Sequence, residues 1–223
     1  MNLKNIIFDF DGTLADTRQC SILATQEAFS ELGLRKPSEQ EIAYYMGVPI
    51  EISFKKMADG ELPDEFFQRL LSTFRRTYKE LENDYIAAFP GIPEVLEKLM
   101  QQGKQIFVVS SKKTDVLLRN LKTLQIDEMF QEVIGADNVS NYKPHPEGIL
   151  TLQKRYAFQS EEAVMIGDTI FDLQMAKAAG VYSCGVTWGS HEKEILIKEN
   201  PTFLVEETQQ LAVLESLSMK NKI

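Results

Sequence analysis

The chain has 223 residues, 43% of them apolar, enough for one large globular domain or for a core with a smaller second unit. Its 24 basic and 33 acidic residues leave a net charge of −9, which argues against a phosphate-backbone partner held by counterion release, so no nucleic acid is expected. The apolar stretch before Asp9 and Asp11 is too short and too acidic for a signal peptide, and no apolar run approaches the ~20 residues of a membrane span; a cytoplasmic protein with no membrane contact is expected.

The first apolar run is "IIFDF" at 6–10, ending in the acidic, glycine-bearing stretch "DFDGTLAD". From 16 to 87 the sequence contains no convincing strand. "SILATQEAFSELGL", "SEQEIAYYMG", "PIEISFKKMAD" and "PDEFFQRLLSTFRRTYKELEND" carry apolar residues at three- and four-residue spacing, with turns at Gly47 and Gly60. This reads as an inserted helical cap over 16–87, with the core made of 1–15 and 88–223. Beyond it, strand-like runs at "QIFVVSS", "EVIGAD", "AVMIGD" and "VYSCGVTWG" alternate with amphipathic segments, and Gly103 and Gly180 stand where helices should stop. Continuous rather than alternating apolar runs fit strands buried on both faces, so the expected fold class is α/β: a Rossmann-like, doubly wound parallel sheet with an α-helical insert. Cys20 and Cys184, far apart and in no ligand pattern, read as small packed residues, and the tail "MKNKI" reads as frayed.

In an open parallel sheet, ligands bind outside the carboxyl ends of the strands. Asp9 and Asp11 follow the first run, Ser110, Ser111 and Lys112 the second, and Asp168, Thr169 and Asp172 the fourth. Lys143 precedes Pro144, which disfavours helix there and puts the lysine in a loop. Carboxylates gathered at one edge need a cation to stay ionised, and hard oxygen donors without Cys or His favour Mg²⁺. Adding the lysine, the hydroxyls and the backbone N–H groups of helix N-termini expected after Asp11 and Ser110 makes a phosphoryl site. Asp16, Asp115 and Asp137 read instead as turn or helix-cap residues, and Gly12 and Thr13 are substrate-binding candidates that also suit the turn itself. Ser111 also reads as a helix N-cap. His145 falls at the mouth or on the surface, His191 on the surface, and Arg18 either grips a second anionic group or is an exposed helix residue.

"DFDGT", "VVSSK", "YKP" and "GDTIFD" resemble, in order and spacing, the four motifs of the haloacid dehalogenase superfamily, over essentially the whole chain. The resemblance implies a Rossmann-like core, a helical cap after the first motif and Mg²⁺-dependent phosphoryl transfer through an aspartyl-phosphate. By position it makes Asp9 the nucleophile and a metal ligand. Asp11 becomes the acid and base, with its carbonyl on the metal. Ser110 and Ser111 would hold the phosphoryl group, and Lys143 would neutralise charge. Asp168 would bind the metal, and Asp172 would reach it through water or orient Lys143. An acid at Asp11 favours phosphoryl over dehalogenase chemistry, because a halide leaves without a proton.

"FDFDGTLADT", "KPHPEG", "GVTWG" and "YMGVPIEISF" look most like the phosphoglycolate phosphatase group and its pyrophosphatase and nucleotidase relatives. The reading is a phosphatase of a small phosphorylated metabolite, phosphoglycolate first, working as a monomer or homodimer. A β-phosphoglucomutase-like mutase shares fold, cap and nucleophile. It usually has a basic residue just after the cap-loop glycine, whereas Gly47 is followed by Val48, Pro49, Ile50 and Glu51. A receiver-type phosphoacceptor would share the acid cluster but needs no lid.

Overall fold

The computed structural model describes residues 2–217; the tail read as frayed, 219–223, lies outside the described residues. Strand β1 (Asn5–Phe8) runs into a tight turn and the two-residue β2 (Ala15–Asp16). Four helices follow: α1 (Arg18–Glu31), α2 (Glu39–Tyr44), α3 (Ile50–Met57) and α4 (Asp64–Tyr85). After β3 (Ala87–Ala88) the chain alternates through α5 (Ile92–Gln101), β4 (Gln105–Val109), α6 (Thr114–Thr123), β5 (Glu132–Ile134) and α7 (Glu147–Tyr156). It continues through β6 (Ala163–Gly167), α8 (Ile170–Ala179), β7 (Tyr182–Val186), α9 (Lys193–Lys198) and β8 (Phe203–Val205), and the described part closes with α10 (Leu214–Leu217).

The main sheet is wholly parallel, in the order β5-β4-β1-β6-β7-β8. Its strands are buried on both faces, and side-chain alternation sorts each run into two cores. Ile6, Phe8, Ile106, Val108, Val164 and Ile166 face α5 and α6 in one core. Ile7, Phe107, Val109 and Met165 face Ile149 and Leu152 of α7 and Met175 and Ala176 of α8 in the other. This double burial is why the runs show no polar alternation, and it is the doubly wound α/β architecture that the sequence indicates.

The helices of 16–87 share the apolar cluster of one sheet face. Phe54 meets Phe29 and Phe74 edge-on, with ring centroids 5.3 and 5.1 Å apart, so three helices share one aromatic junction. Its two connections to the sheet are zipped together as an antiparallel ribbon, Ala15 opposite Ala88 and Asp16 opposite Ala87, with a further Phe89 N–H to Leu14 O bond of 3.0 Å. The ribbon corrects the expectation of no strand at the ends of this stretch. Two-residue strands carry no periodicity, and pairing rather than composition creates them. Strand β8 was likewise not among the expected strands, being only three residues of edge.

Cys20 and Cys184 are buried and unpaired with each other. Burial raises the Cys20 thiol to about 12, and burial also raises Cys184, so both stay protonated near neutrality, whereas thiol reagents attack the thiolate. Native protein should therefore leave both unmodified by 5,5′-dithiobis(2-nitrobenzoate) and release two equivalents only in denaturant; rapid labelling of either in the native state would contradict this packing.

Candidate active site

The carboxyl ends of β1 and β6 place Asp9 and Asp168 side by side, and the first turn of α8 adds Asp172. All three are buried, and one carboxylate oxygen from each lies within 4.8 Å of the others. Lys143, from the loop before α7, enters between them, its Nζ 2.8 Å from Asp9 Oδ1 and 2.7 Å from Asp172 Oδ1. Asp172 also reaches back to the start of its own helix, where its Oδ2 accepts from the Thr169 N–H at 3.1 Å and from the Thr169 hydroxyl at 2.7 Å. Both of its oxygens are thus committed, one to Lys143 and one to the cap.

Asp168 is held from two other loops. Thr13 Oγ1 donates to its Oδ1 at 2.9 Å and the Ser190 N–H to its Oδ2 at 2.7 Å. Two glycines make room for it. A Cβ on Gly12, whose φ is +77°, would stand 2.2 Å from Asp168 Oδ2, and one on Gly189 would stand 2.2 Å from Asp168 Cβ. Gly12 therefore serves both as a left-handed turn residue and as a close-approach residue.

The electrostatics follow from burial. Burial pushes the Asp9 carboxyl well above its ordinary value; Lys143 opposes the shift, and Asp172 and Asp168 add to it. Burial and the charge of Asp172 push Asp168 up to about 6 against its hydrogen bonds from Ser190 and Thr13. Burial pulls the Lys143 ammonium down, but Asp172 and Asp9 outweigh that and leave it above its usual value. One lysine faces three buried carboxylates, and the Oδ2 of Asp9 is buried with no hydrogen-bond partner among the described residues. A hard divalent cation fits such a set: the donors are all carboxylate oxygen, the charge is in excess, and one oxygen lacks a partner.

Asp11 lies apart from this trio. Its Oδ1 accepts from Thr17 Oγ1 at 2.6 Å and pairs with Lys112 Nζ at 2.8 Å. Lys112 also donates to the Tyr78 hydroxyl of α4 at 2.6 Å, so the insert and the core meet over Asp11. Ser110 is buried beside Lys143 in a small pocket that also includes His145, while Ser111 donates to the carbonyl of Gly47 at 2.6 Å and so ties the core to the insert.

Several expectations change here. No helix begins directly after Asp11: the chain turns through Gly12 into β2, and α1 starts only at Arg18. The helix after Ser110 starts only at Thr114, whose N–H donates to Asp137 Oδ1 at 2.7 Å, so Asp137 caps this helix. Arg18 is exposed on α1, its N–H held by Asp16 at 3.1 Å. His191, expected on the surface, is buried. Its Nδ1 accepts the Ile170 N–H at 3.2 Å, capping α8, and its ring lies near parallel to Tyr44 of the insert. A lone histidine after a glycine-serine pair gives no sign of such a role. Thr17 and Ser190 were absent from the expected site set, and Lys112, grouped there with the two serines, had no role assigned to it.

The description of the family model that matches residues 6–186 is haloacid dehalogenase-like hydrolase. The chain is 30% identical over 214 residues to a pyrophosphatase PpaX of Listeria monocytogenes, across 95% of this chain and 96% of that protein. Among solved structures, a haloacid dehalogenase-like family hydrolase from Streptococcus pneumoniae matches with a TM-score of 0.82 at 28% identity, over 96% of this chain and 98% of that one. A predicted phosphoglycolate phosphatase from Haemophilus somnus shares the fold with a TM-score of 0.87 at 24% identity, over 98% and 99% of the two chains.

Lys143→Met should leave Asp9 and Asp172 without their shared cation and cost about 3–5 kcal/mol of folding stability at neutral pH. Denaturant titration of both proteins without metal measures it; an unchanged midpoint would mean that the three carboxylates do not depend on this lysine.

Proposed function

The chain belongs to the haloacid dehalogenase-like hydrolase family, and we propose that it is a Mg²⁺-dependent phosphatase of a small phosphomonoester, working through a phosphorylated Asp9. The observation that carries the reading is the buried trio Asp9, Asp168 and Asp172 gathered around Lys143, with Asp11 across the turn. Asp9 and Asp168, with the carbonyl of Asp11, would hold Mg²⁺, which supplies charge neutralisation for the phosphoryl oxygens. The Asp9 carboxylate attacks phosphorus, and the bond from phosphorus to the ester oxygen breaks. Asp11 hands that leaving oxygen its proton, then removes one from the water that attacks the phosphorylated Asp9. The bond between phosphorus and Asp9 then breaks, releasing inorganic phosphate and restoring the carboxylate. Lys143 steadies the Asp9 side chain throughout, Ser110 binds a phosphoryl oxygen, and Asp172 positions Lys143.

The helical insert, 16–87, is the proposed cap, hinged at the ribbon of β2 and β3. It excludes water from the acyl-phosphate when seated and admits substrate when raised. Phosphoglycolate is the first substrate to measure, and pyrophosphate is measured beside it because the pyrophosphatase alternative is compatible with the Listeria relative at 30% identity. The acid Glu51 in the segment after Gly47 weighs against a mutase, which needs a cation there for a second phosphate.

Asp9→Asn should lower turnover of p-nitrophenyl phosphate on the order of a thousandfold or more, and Asp11→Asn by about 10²–10⁴-fold. Chelation should remove wild-type activity and added Mg²⁺ restore it. Hydrolysis that survives Asp9→Asn would sink the aspartyl-phosphate reading.

A further inference from the structure

A cavity of about 130 Å³ lies between the insert and the core, walled by α1, α2, α3, α4, α6 and the loop before α3. Its floor is Asp11, Ser111 and Lys112, so it opens on the group assigned above to the leaving oxygen. Its body is apolar, with Ile42, Met46, Val48, Phe54, Met57 and Phe74 facing inward.

Charge at the cavity is nearly matched, with four cations facing three carboxylates, Asp11, Glu51 and Glu82. Of the four cations in its wall, Lys112 pairs with Asp11 at 2.8 Å, Arg75 with Glu51 at 2.6 Å, Lys113 with the same Glu51 at 3.7 Å, and Arg119 with Glu82 at 2.5 Å. Only Glu51 serves two cations, and its more distant partner, Lys113, keeps 44% of its side chain exposed, where water and salt screen it. The other polar groups offered to an occupant are small and neutral, chiefly the Ser21, Thr25 and Ser53 hydroxyls. A second phosphate or a carboxylate placed here would lose its water and meet thioethers, methyls and rings, with Glu51 adding repulsion. A neutral apolar group loses nothing by entering, and apolar cavities of ~150 Å³ accept a benzene ring.

We propose that this cavity receives the leaving group, and that the preferred substrates are phosphomonoesters of compact, uncharged alcohols bearing a single ring or an apolar body of that size. The assignment rests on the phosphatase reading above and narrows it. It sets phosphoglycolate and pyrophosphate, both anionic beyond the transferred phosphoryl group, among the poorer substrates. For a phosphomonoester the phosphoryl group passes to Asp9 as the alcohol leaves with a proton from Asp11, and water then releases it, so benzyl phosphate plus water yields benzyl alcohol and inorganic phosphate.

The test compares kcat/KM for benzyl phosphate, ethyl phosphate, phosphoglycolate and pyrophosphate in the wild-type protein and in Ile50→Trp. Ile50 lines the cavity and is half-buried, and it has no assigned part in the chemistry. Benzyl phosphate should exceed ethyl phosphate by about tenfold or more, as expected for burying a ring. It should also exceed both anionic substrates, and Ile50→Trp should erase its advantage over ethyl phosphate. Equal or better turnover of phosphoglycolate or pyrophosphate would overturn the inference while leaving the phosphatase reading intact. If none of the four releases phosphate, the phosphatase reading has failed. The cavity is then judged by the methyl resonances of Met46 and Met57 during titration with benzyl alcohol. A shift that Ile50→Trp abolishes supports a ring-binding cavity, and no shift overturns it.

Discussion

The structure turns on one buried ammonium. Lys143 stands between Asp9 and Asp172, at 2.8 and 2.7 Å, where three carboxylates converge out of contact with water. Like charges in a low-dielectric pocket repel strongly, and each ion brought there has already lost its hydration. The fold meets that constraint by geometry. A parallel sheet brings the ends of β1 and β6 together, and glycine at 12 and 189 lets Asp168 approach backbone where a Cβ would collide. The loop before α7 then delivers the cation. None of these features has an equivalent purpose in a sheet whose edge carries no charge.

Much of this was legible because two periodicities overlap without interfering. The five long apolar runs lacked alternation, and the two separate cores on either side of the sheet explain why: every residue of Ile6–Phe8 or Ile106–Val109 faces a helix on one side or the other. Asp9 and Asp168 stood at the ends of those runs, so their meeting follows from the pairing of β1 with β6, whereas Lys143 arrives from a loop and Asp172 from α8. The elements missed are those whose existence depends on a partner. Ala15–Asp16 and Ala87–Ala88 are strands only because they pair with each other, and Phe203–Val205 only because β7 lies beside it. His191 was misread for a related reason. Its burial comes from capping α8 and lying against Tyr44, and both neighbours are distant in sequence.

The same distinction separates the two halves of the site. The carboxylate trio rests on contacts within the core, and short motifs announce it. The environment of Asp11 is shared with the insert: Thr17 stands at the entrance to α1, and Lys112 reaches the Tyr78 hydroxyl on α4. Periodicity placed those helices but gave no rotation about their axes, so which side chains meet Asp11 was not readable.

That sharing has a mechanical consequence. Thr17 and Asp11 lie on either side of the tight turn through Gly12, and the ribbon that joins the insert to the sheet begins at Ala15. Any swing of α1 and α4 about the ribbon must pull Thr17 and Tyr78 away from the Asp11–Lys112 pair while leaving Asp9, Asp168, Asp172 and Lys143 in place. The hydrogen bonds to Asp168 from Thr13 and Ser190 and to Asp172 from Thr169 are made within the core, although Ser190 Oγ also reaches Met46 Sδ of the insert at 3.8 Å and Gly47 packs on Thr169. A shift of the insert therefore alters the surroundings of the Asp11 side chain more than the pairing of Lys143 with Asp9 and Asp172. A phosphatase built this way can vary what it accepts by changing the insert, because the trio's electrostatics are balanced inside the core.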